Sequence, residues 1–321
     1  MSAPIIDRLA LIGVGLIGSS IARAAREYGA VRSIVATARS EATRKRVVEL
    51  GIADRVVATN AEAAKDADLI IVCIPVGASG AVAQEIAASL KPGAIVSDVG
   101  SVKSAVLKDM APHIPNGVHL IPAHPVAGTE NSGPDSGFAE LFVNRWCILT
   151  PPEGGDAAAV EKLTAFWSAL GANVEVMTAE HHDMVLAITS HLPHLIAYTI
   201  VGTAEEFSTV SRSEVLKFSA GGFRDFTRIA ASDPTMWRDV FLANKDAVLE
   251  MLGRFSEDLS GLTRAMRSGD GQALFDHFAR TRAIRRGIVE IGQDSPAPDF
   301  GRAHAGLPAE PLPRPYAADN E

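Results

Sequence analysis

Several features that identify particular classes of protein are absent from this 321-residue sequence. Its 2 cysteines, Cys73 and Cys147, lie inside apolar runs, so we expect buried thiols rather than disulfides or a cysteine-based metal site. The net charge is −8 without a block of lysine and arginine, which argues against a nucleic-acid surface. The N-terminus lacks a secretory signal, and no apolar run approaches the about 18 residues of a membrane helix. We therefore expect a soluble, cytoplasmic protein without a metal, a nucleic-acid partner or a membrane partner.

The first feature that indicates a ligand is a glycine-rich turn. The pattern G-x-G-x-x-G stands between a short apolar run and a predicted helix, which is the context of a dinucleotide-binding site. In such a turn Gly13 permits the tight bend, Gly15 lets the backbone approach a pyrophosphate, and Gly18 lets helix and strand pack closely. The alternative is a purely structural turn. The residues predicted to contact the cofactor here are Gly13, Gly15, Leu16, Ile17 and Gly18.

The end of the second predicted strand, residues 33–38, bears on the choice of cofactor. An NAD site places an aspartate or glutamate there to bond the ribose 2′-OH. This sequence has Arg39 and Ser40 instead, and its first carboxylate, Glu41, falls in the next helix. An arginine and a hydroxyl suit a 2′-phosphate, so we predict NADP in preference to NAD. In the alternative, Arg39 is a solvated charge and the protein uses both cofactors.

Further strands and helices alternate through residue 178, as in an α/β domain with a parallel sheet. The apolar run 68–74 predicts a strand covered on both faces, and strand 173–177 is expected to close the sheet. Ligands bind such sheets beyond the carboxyl ends of the strands. Pro75 and Ser101 lie at such ends, so we predict that Pro75 contacts the cofactor and Ser101 the substrate. The alternative for Ser101 is a helix N-cap.

His124 is the residue around which we interpret the rest of the chain. It stands between small residues and prolines, and Pro125 excludes a helix and favours an extended His124. We therefore expect His124 on a loop at the mouth of a strand, at the same edge of the sheet as Ser101 and Lys103. Imidazole titrates near neutral pH, so it can accept or donate a proton there. The alternative is a histidine that bonds only its own loop.

From Ala179 onward the pattern is helical, and this half is predicted to form a bundle or a dimer interface. Its first helix is apolar nearly all round, and Pro193 should kink it. His191 and His194 are three residues apart and share a face, yet no third ligand stands at metal spacing. Local hydrogen bonding or a substrate contact is therefore the preferred interpretation.

Two arginines of the helical half are suited to an anionic substrate. Arg224 and Arg228 are one helical turn apart, so both guanidinium groups can face one pocket. Each can hold a carboxylate in a fork, which suits a dicarboxylate. The alternative is a surface pair with Asp225 and Glu214. The pattern further predicts helices at 233–252, 255–266 and 273–291, and a disordered, proline-rich tail at 294–321.

Taken in order, these stretches resemble one enzyme family. The motifs are the glycine turn 13–18, SDVGSVK at 97–103, HPVAGTE at 124–130, SHLPH at 190–194, GFRDFTR at 222–228 and DPTMWRD at 233–239. Together they resemble the prephenate/arogenate (cyclohexadienyl) dehydrogenases of tyrosine biosynthesis. The resemblance implies a Rossmann-type dinucleotide-binding domain at 1–178 and a helical domain at 179–293 that forms a homodimer. It also implies NAD(P)-dependent oxidative decarboxylation of a cyclohexadienol.

The resemblance also implies roles for individual residues. His124 would accept the proton of the substrate C4 hydroxyl as hydride leaves C4, and Ser101 would orient His124 or that hydroxyl. Arg228 would bind a substrate carboxylate, with Arg224 as a weaker candidate. The other implied contacts are His191 or His194 with the substrate side chain, Glu130 with Asp225 in an ion network that gates the pocket, Trp237 with the partner subunit's site, and Thr129 and Gly221 with the substrate.

Two other functions stay open from the sequence alone. A β-hydroxyacid dehydrogenase or an imine reductase has a similar arrangement, but the former usually depends on a catalytic lysine at a glycine-bracketed helix start, which the helical half lacks. A nucleotide-sensing protein without turnover would not need His124 and Arg228 together. The choice between prephenate and arogenate also stays open, because no residue decides between a keto and an amino side chain.

Overall fold

The computed structural model describes residues 3–129, 131–207 and 220–290. The expectations for Glu130, for Glu214 and for the tail at 294–321 lie outside the described residues. The chain divides into two compact units, Met1–Leu274 and Phe275–Glu321.

Strands and helices alternate through the first part of the chain, and helices alone follow. The strands are β1 (Ile6–Ile12), β2 (Val31–Thr37), β3 (Arg55–Val57), β4 (Leu69–Val72), β5 (Ile95–Asp98), β6 (His119–Leu120), β7 (Ala123–Pro125), β8 (Trp146–Leu149) and β9 (Asn173–Val176). The helices are α1 (Leu16–Glu27), α2 (Glu41–Glu49), α3 (Asn60–Ala64), α4 (Ser79–Ile86), α5 (Ser104–Met110), α6 (Ala157–Ala169), α7 (Ala179–Leu186), α8 (Leu192–Phe207), α9 (Gly221–Thr227), α10 (Pro234–Ala243), α11 (Lys245–Ser268) and α12 (Gly271–Glu290).

The main sheet has six parallel strands in the order β3-β2-β1-β4-β5-β6. Strand β1 pairs with both β2 and β4, so the direction of the strand order reverses between β1 and β4. Open α/β sheets bind ligands at this reversal, in the crevice beyond the carboxyl ends of the strands. The predicted Rossmann-type architecture is therefore confirmed, and its topology places the expected cofactor edge at the carboxyl ends of β1 and β4.

The two faces of this sheet bury separate cores. In β1, Leu9 and Leu11 belong to one apolar cluster, whereas Ala10 and Ile12 belong to another. Successive side chains of a strand point to opposite faces, so a continuous apolar run is what a strand covered on both faces requires. Burial of apolar surface stabilises a fold by about 25 cal/mol per Å². The two cores therefore hold the strand ends, which form the expected cofactor edge, in place.

A second, smaller sheet corrects two sequence expectations. Its order is β7-β8-β9, so residues 173–177 do not close the main sheet. His124 lies inside β7, opposite Ile148, rather than on a loop. The amide of Ile121 still bonds to the main sheet, but Pro122 has no N–H to continue that ladder, and the chain then pairs with β8 instead. The extended conformation predicted for His124 is confirmed.

The first helix of the helical half is continuous from Ala179 to Phe207 but changes its winding in the middle. Residues Ala187–His191 are π-helical, and only Leu192 separates them from Pro193. Pro193 lacks an N–H and its ring crowds the preceding turn, which accounts for the irregular winding that we predicted as a kink.

The same helix corrects the expectation about membrane length. By length and composition it is apolar enough to cross a membrane, and 28% of its most apolar stretch is buried in the protein. The central helix of a soluble bundle has the same composition. Moreover, the buried side chains of His182 and Asp183 lie in its first turns and bond to the sheet domain. The start of this helix is therefore packed against the sheet domain, whereas Ile200 and Val201 near its end are exposed.

The predicted helix 233–252 is interrupted at Asn244, where α10 ends and α11 begins. Asn244 is buried, and its amide donates to the carbonyl oxygen of Asp183 and lies 3.1 Å from Nδ1 of His191. These tertiary contacts, which periodicity does not reveal, account for the break.

The second unit contains, within the described residues, the greater part of α12. Phe275, Phe278 and Ile284 on this helix are exposed.

Candidate active site

The glycine turn after β1 has the shape that a dinucleotide requires. Gly13 has a φ of +93°, and a Cβ there would collide with the carbonyl oxygen of Cys73, two residues before the exposed Pro75. A Cβ on Gly18 would collide with the carbonyl oxygen of Gly13, so α1 packs directly on the turn. At Gly15, by contrast, a Cβ would meet no atom of the described residues within 4 Å. Gly13 and Gly18 therefore shape the turn, and Gly15 leaves space for a ligand.

The N-terminus of α1 is suited to an anion. Gly15 is its N-cap and has no side chain to bond the first amides, and the first turn of the helix has no acidic residue. An uncapped N-terminus presents free N–H groups and the positive end of the helix dipole. Leu16 and Ile17 pack partly against the core and hold this first turn in place. The turn thus fits the pyrophosphate of a dinucleotide.

The end of β2 carries positive charge. Arg39 is exposed, and Arg44 donates a hydrogen bond to its carbonyl oxygen at 3.1 Å. Ser40 is the N-cap of α2, with its hydroxyl accepting from the amide of Thr43 at 3.0 Å. Glu41 is engaged in an exposed ion pair along its own helix. Arg44 was missed by the sequence analysis, because only the folded turn brings it beside Arg39.

A buried ion pair holds the backbone that precedes His124. Nζ of Lys103 donates to Oδ2 of Asp98 at 2.5 Å and to the carbonyl oxygen of Ala123 at 2.7 Å. Oδ1 of Asp98 accepts from the amide of Ala123 at 3.2 Å. Lys103 is fully buried, and burial lowers its pKa while Asp98 opposes that shift. Both peptide groups flanking Ala123 are therefore fixed by one charged pair.

A chain of hydrogen bonds reaches the imidazole of His124 from helix α7. Nδ1 of His124 lies 2.8 Å from Nε2 of His182, and Nδ1 of His182 lies 2.8 Å from Oδ1 of Asp183. Asp183 also accepts from the backbone amides of Lys103 at 2.8 Å and Ser104 at 2.9 Å. His124 is 7% exposed and His182 is fully buried. The hydrogen-bonded chain therefore runs from the start of α5 to the histidine of β7.

Burial sets the protonation states in this chain. Burial first, and then the charges of His182 and Lys103, hold the pKa of His124 well below its ordinary value of 6.5. Burial also lowers the pKa of His182, against its hydrogen bond to Asp183. Burial would raise the pKa of Asp183, but the hydrogen bonds that the carboxylate accepts outweigh it, and the pKa lies below 3.8. At neutral pH both histidines are therefore neutral and Asp183 is ionised.

The histidines of the SHLPH motif meet a tryptophan. His191 and His194 both contact the ring of Trp237, with centroids 6.0 Å and 3.7 Å away, so they share a face as predicted. His194 also bonds through Nδ1 to the carbonyl oxygen of Ser190 at 2.9 Å. Burial lowers the pKa of His191 to about 4. Trp237 is buried and stacks on His194, and its predicted contact with the site of a partner subunit stays a prediction.

Both arginines are exposed, but their neighbours differ. Helix α9 ends at Thr227, and Arg228 begins a 3₁₀ turn, so the pair does not continue along one regular helix. Burial first, and then the positive charge of Arg228, lower the pKa of His194, which associates this arginine with the histidine face. Nε of Arg224 lies 3.5 Å from Oδ1 of Asp225 in an exposed pair, as in the alternative weighed from the sequence.

Of three further predicted substrate or network residues, Thr129 and Gly221 are partly buried and Glu130 lies outside the described residues. The hydroxyl of Thr129 accepts from the amide of Asn131 at 3.2 Å, within the loop after β7. Gly221 begins α9, and a Cβ there would lie 3.8 Å from the carboxylate of Asp225. Glu130, the expected partner of Asp225 in a gating network, lies outside the described residues.

The residue that orients His124 was missed by the sequence analysis. The structure holds Nδ1 of His124 with His182, rather than with Ser101. Ser101 is also not a helix cap, because α5 begins at Ser104 with Lys103 as its N-cap. The only signal for His182 and Asp183 was two histidines and an acid at a predicted helix start, and nothing in their spacing relates them to β7.

This arrangement can accept and return a proton at His124. A buried neutral imidazole is a base at neutral pH. Within residues 3–129, 131–207 and 220–290, no group of three or more His, Cys, Asp or Glu side chains is placed to hold a metal ion. Cys73 and Cys147 are free, and burial raises the pKa of both thiols.

Comparisons with known proteins agree with this geometry. Residues 21–176 match the family described as prephenate dehydrogenase, nucleotide-binding domain, and residues 178–280 match prephenate dehydrogenase, dimerization domain. Cyclohexadienyl dehydrogenase of Zymomonas mobilis is 43% identical over 281 residues, covering 88% of this chain and 96% of the relative. Prephenate dehydrogenase of Bacillus subtilis is 31% identical over 306 residues, covering 95% and 82%. The crystal structure of prephenate dehydrogenase from Aquifex aeolicus with hydroxyphenyl propionate and NAD+ has a TM-score of 0.82 and 31% identity, covering 88% of this chain and 98% of that one.

Proposed function

This chain belongs to the prephenate dehydrogenase family, and from that premise we propose that His124 is the base of an NAD(P)-dependent oxidative decarboxylation. The substrate is prephenate, arogenate or both, and the product is 4-hydroxyphenylpyruvate or tyrosine. The observation that carries this proposal is a buried, neutral His124, held through Nδ1, on β7, which directly follows the last strand of the sheet that bears the dinucleotide turn. Family membership also removes the other oxidoreductases and the nucleotide sensor as alternatives.

His124 moves the proton of the substrate C4 hydroxyl. Its neutral imidazole accepts that proton while the C4 hydrogen leaves as hydride, and returns it to the same oxygen when the ring carboxylate has left as CO2. The electron pair of the broken carbon–carboxylate bond enters the ring, and aromatisation drives the reaction. When bound, the nicotinamide supplies the hydride acceptor. The protein therefore needs one base and groups that hold the substrate carboxylates.

Arg228 is the group we assign to a substrate carboxylate, because its charge acts on the face formed by His191 and His194. An arginine can grip a carboxylate with two parallel N–H donors. His194 then contacts the substrate side chain, and the exposed Arg224, with Thr129 and Gly221, remains a weaker candidate. Ser101 is assigned to the hydroxyl of the substrate rather than to His124.

NADP is the preferred cofactor in this proposal, with NAD as a second acceptor. The positive end of β2, formed by Arg39 and Arg44, favours a 2′-phosphate, and the carboxylate of Glu41 is already paired. A single charge-assisted contact is worth about 1.5–3 kcal/mol, which corresponds to roughly tenfold or more in affinity. We therefore expect Arg39→Ala to weaken NADP binding about tenfold and NAD binding little.

We also propose a cytoplasmic homodimer that forms through the helical domain. The described helices of this domain expose large apolar side chains, as a surface covered by a second copy would. These side chains are Ile200, Val201, Leu249 and Leu259.

The experiment follows absorbance of the reduced nicotinamide with prephenate or arogenate and NAD or NADP, in all four pairings. Turnover in at least one pairing is expected, and His124→Asn should lower kcat about 10²–10⁴-fold with KM changed little, because it removes the base. His181 is the exposed neighbour of His182, and His181→Asn is the matched control, which should keep full activity. Full activity of His124→Asn contradicts the proposed role of His124 as the base. Absence of turnover in every pairing contradicts the proposed substrate.

A further inference from the structure

We propose that His182 and Asp183 are positioning residues that fix the tautomer of His124, so that its Nε2 is the atom that accepts the substrate proton. This inference rests on the proposed role of His124 as the base. The three side chains form one hydrogen-bonded chain across two elements, β7 and α7. Asp183, the residue at the end of this chain, determines which atom donates in each hydrogen bond.

Asp183 sets the direction because it can only accept. Its two oxygens are held by the backbone amides of Lys103 and Ser104, at 2.8 and 2.9 Å, and a backbone amide is always a donor. The same Oδ1 that accepts from Lys103 lies 2.8 Å from Nδ1 of His182. Asp183 is therefore an ionised acceptor at each of these contacts, and Nδ1 of His182 must carry a hydrogen.

The hydrogen on Nδ1 determines the next contact. A neutral imidazole has one donor and one acceptor nitrogen, so Nε2 of His182 carries a lone pair and is the acceptor. This lone pair lies 2.8 Å from Nδ1 of His124, which must then donate. Neutral His124 consequently carries its hydrogen on Nδ1 and a lone pair on Nε2. A carboxylate selects the tautomer of a catalytic histidine in serine proteases by the same logic.

Burial keeps the chain in this state. His182 is fully buried and His124 and Asp183 nearly so, so a charged imidazole is disfavoured at both histidine positions. The charged and titratable groups around the imidazoles are Lys103 from the start of α5, Asp98 from β5, and His191 and Asp183 from the helical half. Burial, and after it the nearby charge of Lys103, disfavour a positive charge on His124, which keeps it available as a base.

The start of helix α7, which carries His182 and Asp183, is also held through its backbone. The carbonyl oxygen of Asp183 accepts from the buried Asn244 at 2.8 Å, so the start of helix α7 is held on its other side by the α10–α11 junction. Asp183 alone therefore forms hydrogen bonds with the start of α5, with His182 and with Asn244. His124 has its correct orientation only while the helical half and the sheet are docked at this residue.

The experiment compares two replacements of His182 in the full-length enzyme. His182→Leu removes the acceptor for Nδ1 of His124, whereas His182→Gln keeps an acceptor in its amide oxygen. We expect His182→Leu to lower kcat about 100-fold with KM and the Kd for NAD(P) changed less than about threefold, and His182→Gln to recover at least about tenfold of that loss. The exposed His181→Gln is the matched control, with full activity expected.

A second measurement reads the tautomer directly. Side-chain nitrogen spectra of enzyme labelled with ¹⁵N-histidine, with His124 assigned by its absence from His124→Asn, distinguish a protonated Nδ1 from a protonated Nε2. We expect the Nδ1–H form in the wild-type enzyme and in His182→Gln. A mixture of tautomers, or mainly Nε2–H, is expected in His182→Leu and Asp183→Asn. If Asp183→Asn does not fold, the comparison of Gln with Leu at position 182 decides alone.

The outcomes separate this inference from the function beneath it. If His124→Asn abolishes turnover but His182→Leu keeps wild-type kcat and tautomer, the positioning role is wrong and the base stands. Equal losses of kcat in His182→Gln and His182→Leu, with an unchanged Nδ1–H signal, also overturn the positioning role. If His124→Asn keeps wild-type activity, the proposed role of His124 as the base is wrong, and the positioning role of His182 has no base to act on.

Discussion

The cofactor edge and the His124 site lie on one molecule but are built in opposite ways. The cofactor edge is formed by residues 13–18, which are contiguous in sequence and act through backbone shape. The His124 site combines side chains from β5, the start of α5, β7 and α7, and it acts through buried charge and hydrogen bonds. One region is therefore sensitive to the volume of a side chain, and the other to the loss of a partner.

This difference predicts different consequences for similar substitutions. A small side chain added in the glycine turn creates a steric conflict, which is local. A partner removed from the His124 site leaves a buried polar group unsatisfied, which costs the desolvation energy of that group. The three predictions that follow test this contrast from the largest expected effect to the smallest.

Loss of the buried lysine should have the largest effect. Lys103→Met leaves the carboxylate of Asp98 buried without its cation, so the free energy of unfolding should fall by about 3–5 kcal/mol in urea titrations. Addition of Asp98→Asn should recover part of this loss, because the uncompensated charge is removed. The matched control is Lys91→Met, which breaks a partly exposed pair with Asp68 and should cost about 0–1 kcal/mol. Equal losses in the two lysine variants would contradict the contrast.

Alanine in the glycine turn should separate folding from cofactor binding. Gly13→Ala places a side chain at a φ of +93° and against the carbonyl of Cys73, so unfolding free energy should fall by about 1–3 kcal/mol or more. Gly15→Ala meets open space and should change stability by less than about 0.5 kcal/mol. It should nevertheless weaken NAD(P) binding about tenfold, measured by fluorescence titration, because the pyrophosphate approaches there. An unchanged Kd for Gly15→Ala would mean that the turn is only structural.

The pH profile should show the smallest but most specific effect. His124 must be neutral to accept a proton, so kcat/KM rises as pH increases through its pKa in the free enzyme. Burial holds that pKa well below 6.5, so the ascending limb should lie below pH 6.5 and activity should be on its plateau at neutral pH. An ascending limb above pH 6.5 would indicate a base with an exposed or acid-paired imidazole, and it would contradict the burial argument.

The cofactor edge could be predicted from the sequence because its determinants are local. The alternation of apolar runs and helices indicated the parallel sheet, and the three glycines predicted the turn that the structure contains. The shared face of His191 and His194 was also predictable, since three residues make nearly one turn of a helix.

The His124 site could be predicted only in part. Pro125 indicated an extended His124, but the second sheet depends on which strand β7 pairs with after Pro122, and that is a long-range choice. His182 and Asp183 could not be related to His124, because 58 residues separate the two histidines and no period connects them. The break at Asn244 was missed for the same reason, since tertiary hydrogen bonds override the apolar pattern there.

The class of fold, the dinucleotide turn, the candidate base and the family were predictable from the amino-acid sequence, because each depends on local backbone preferences or on motifs read in order. Folding was needed to bring Asp98 and Lys103 to the backbone before His124, and His182 and Asp183 to its ring. Those contacts exist because a buried polar group must find a partner wherever the folded chain supplies one. The partner's position along the chain is irrelevant to that energy, so spacing in the sequence does not reveal it.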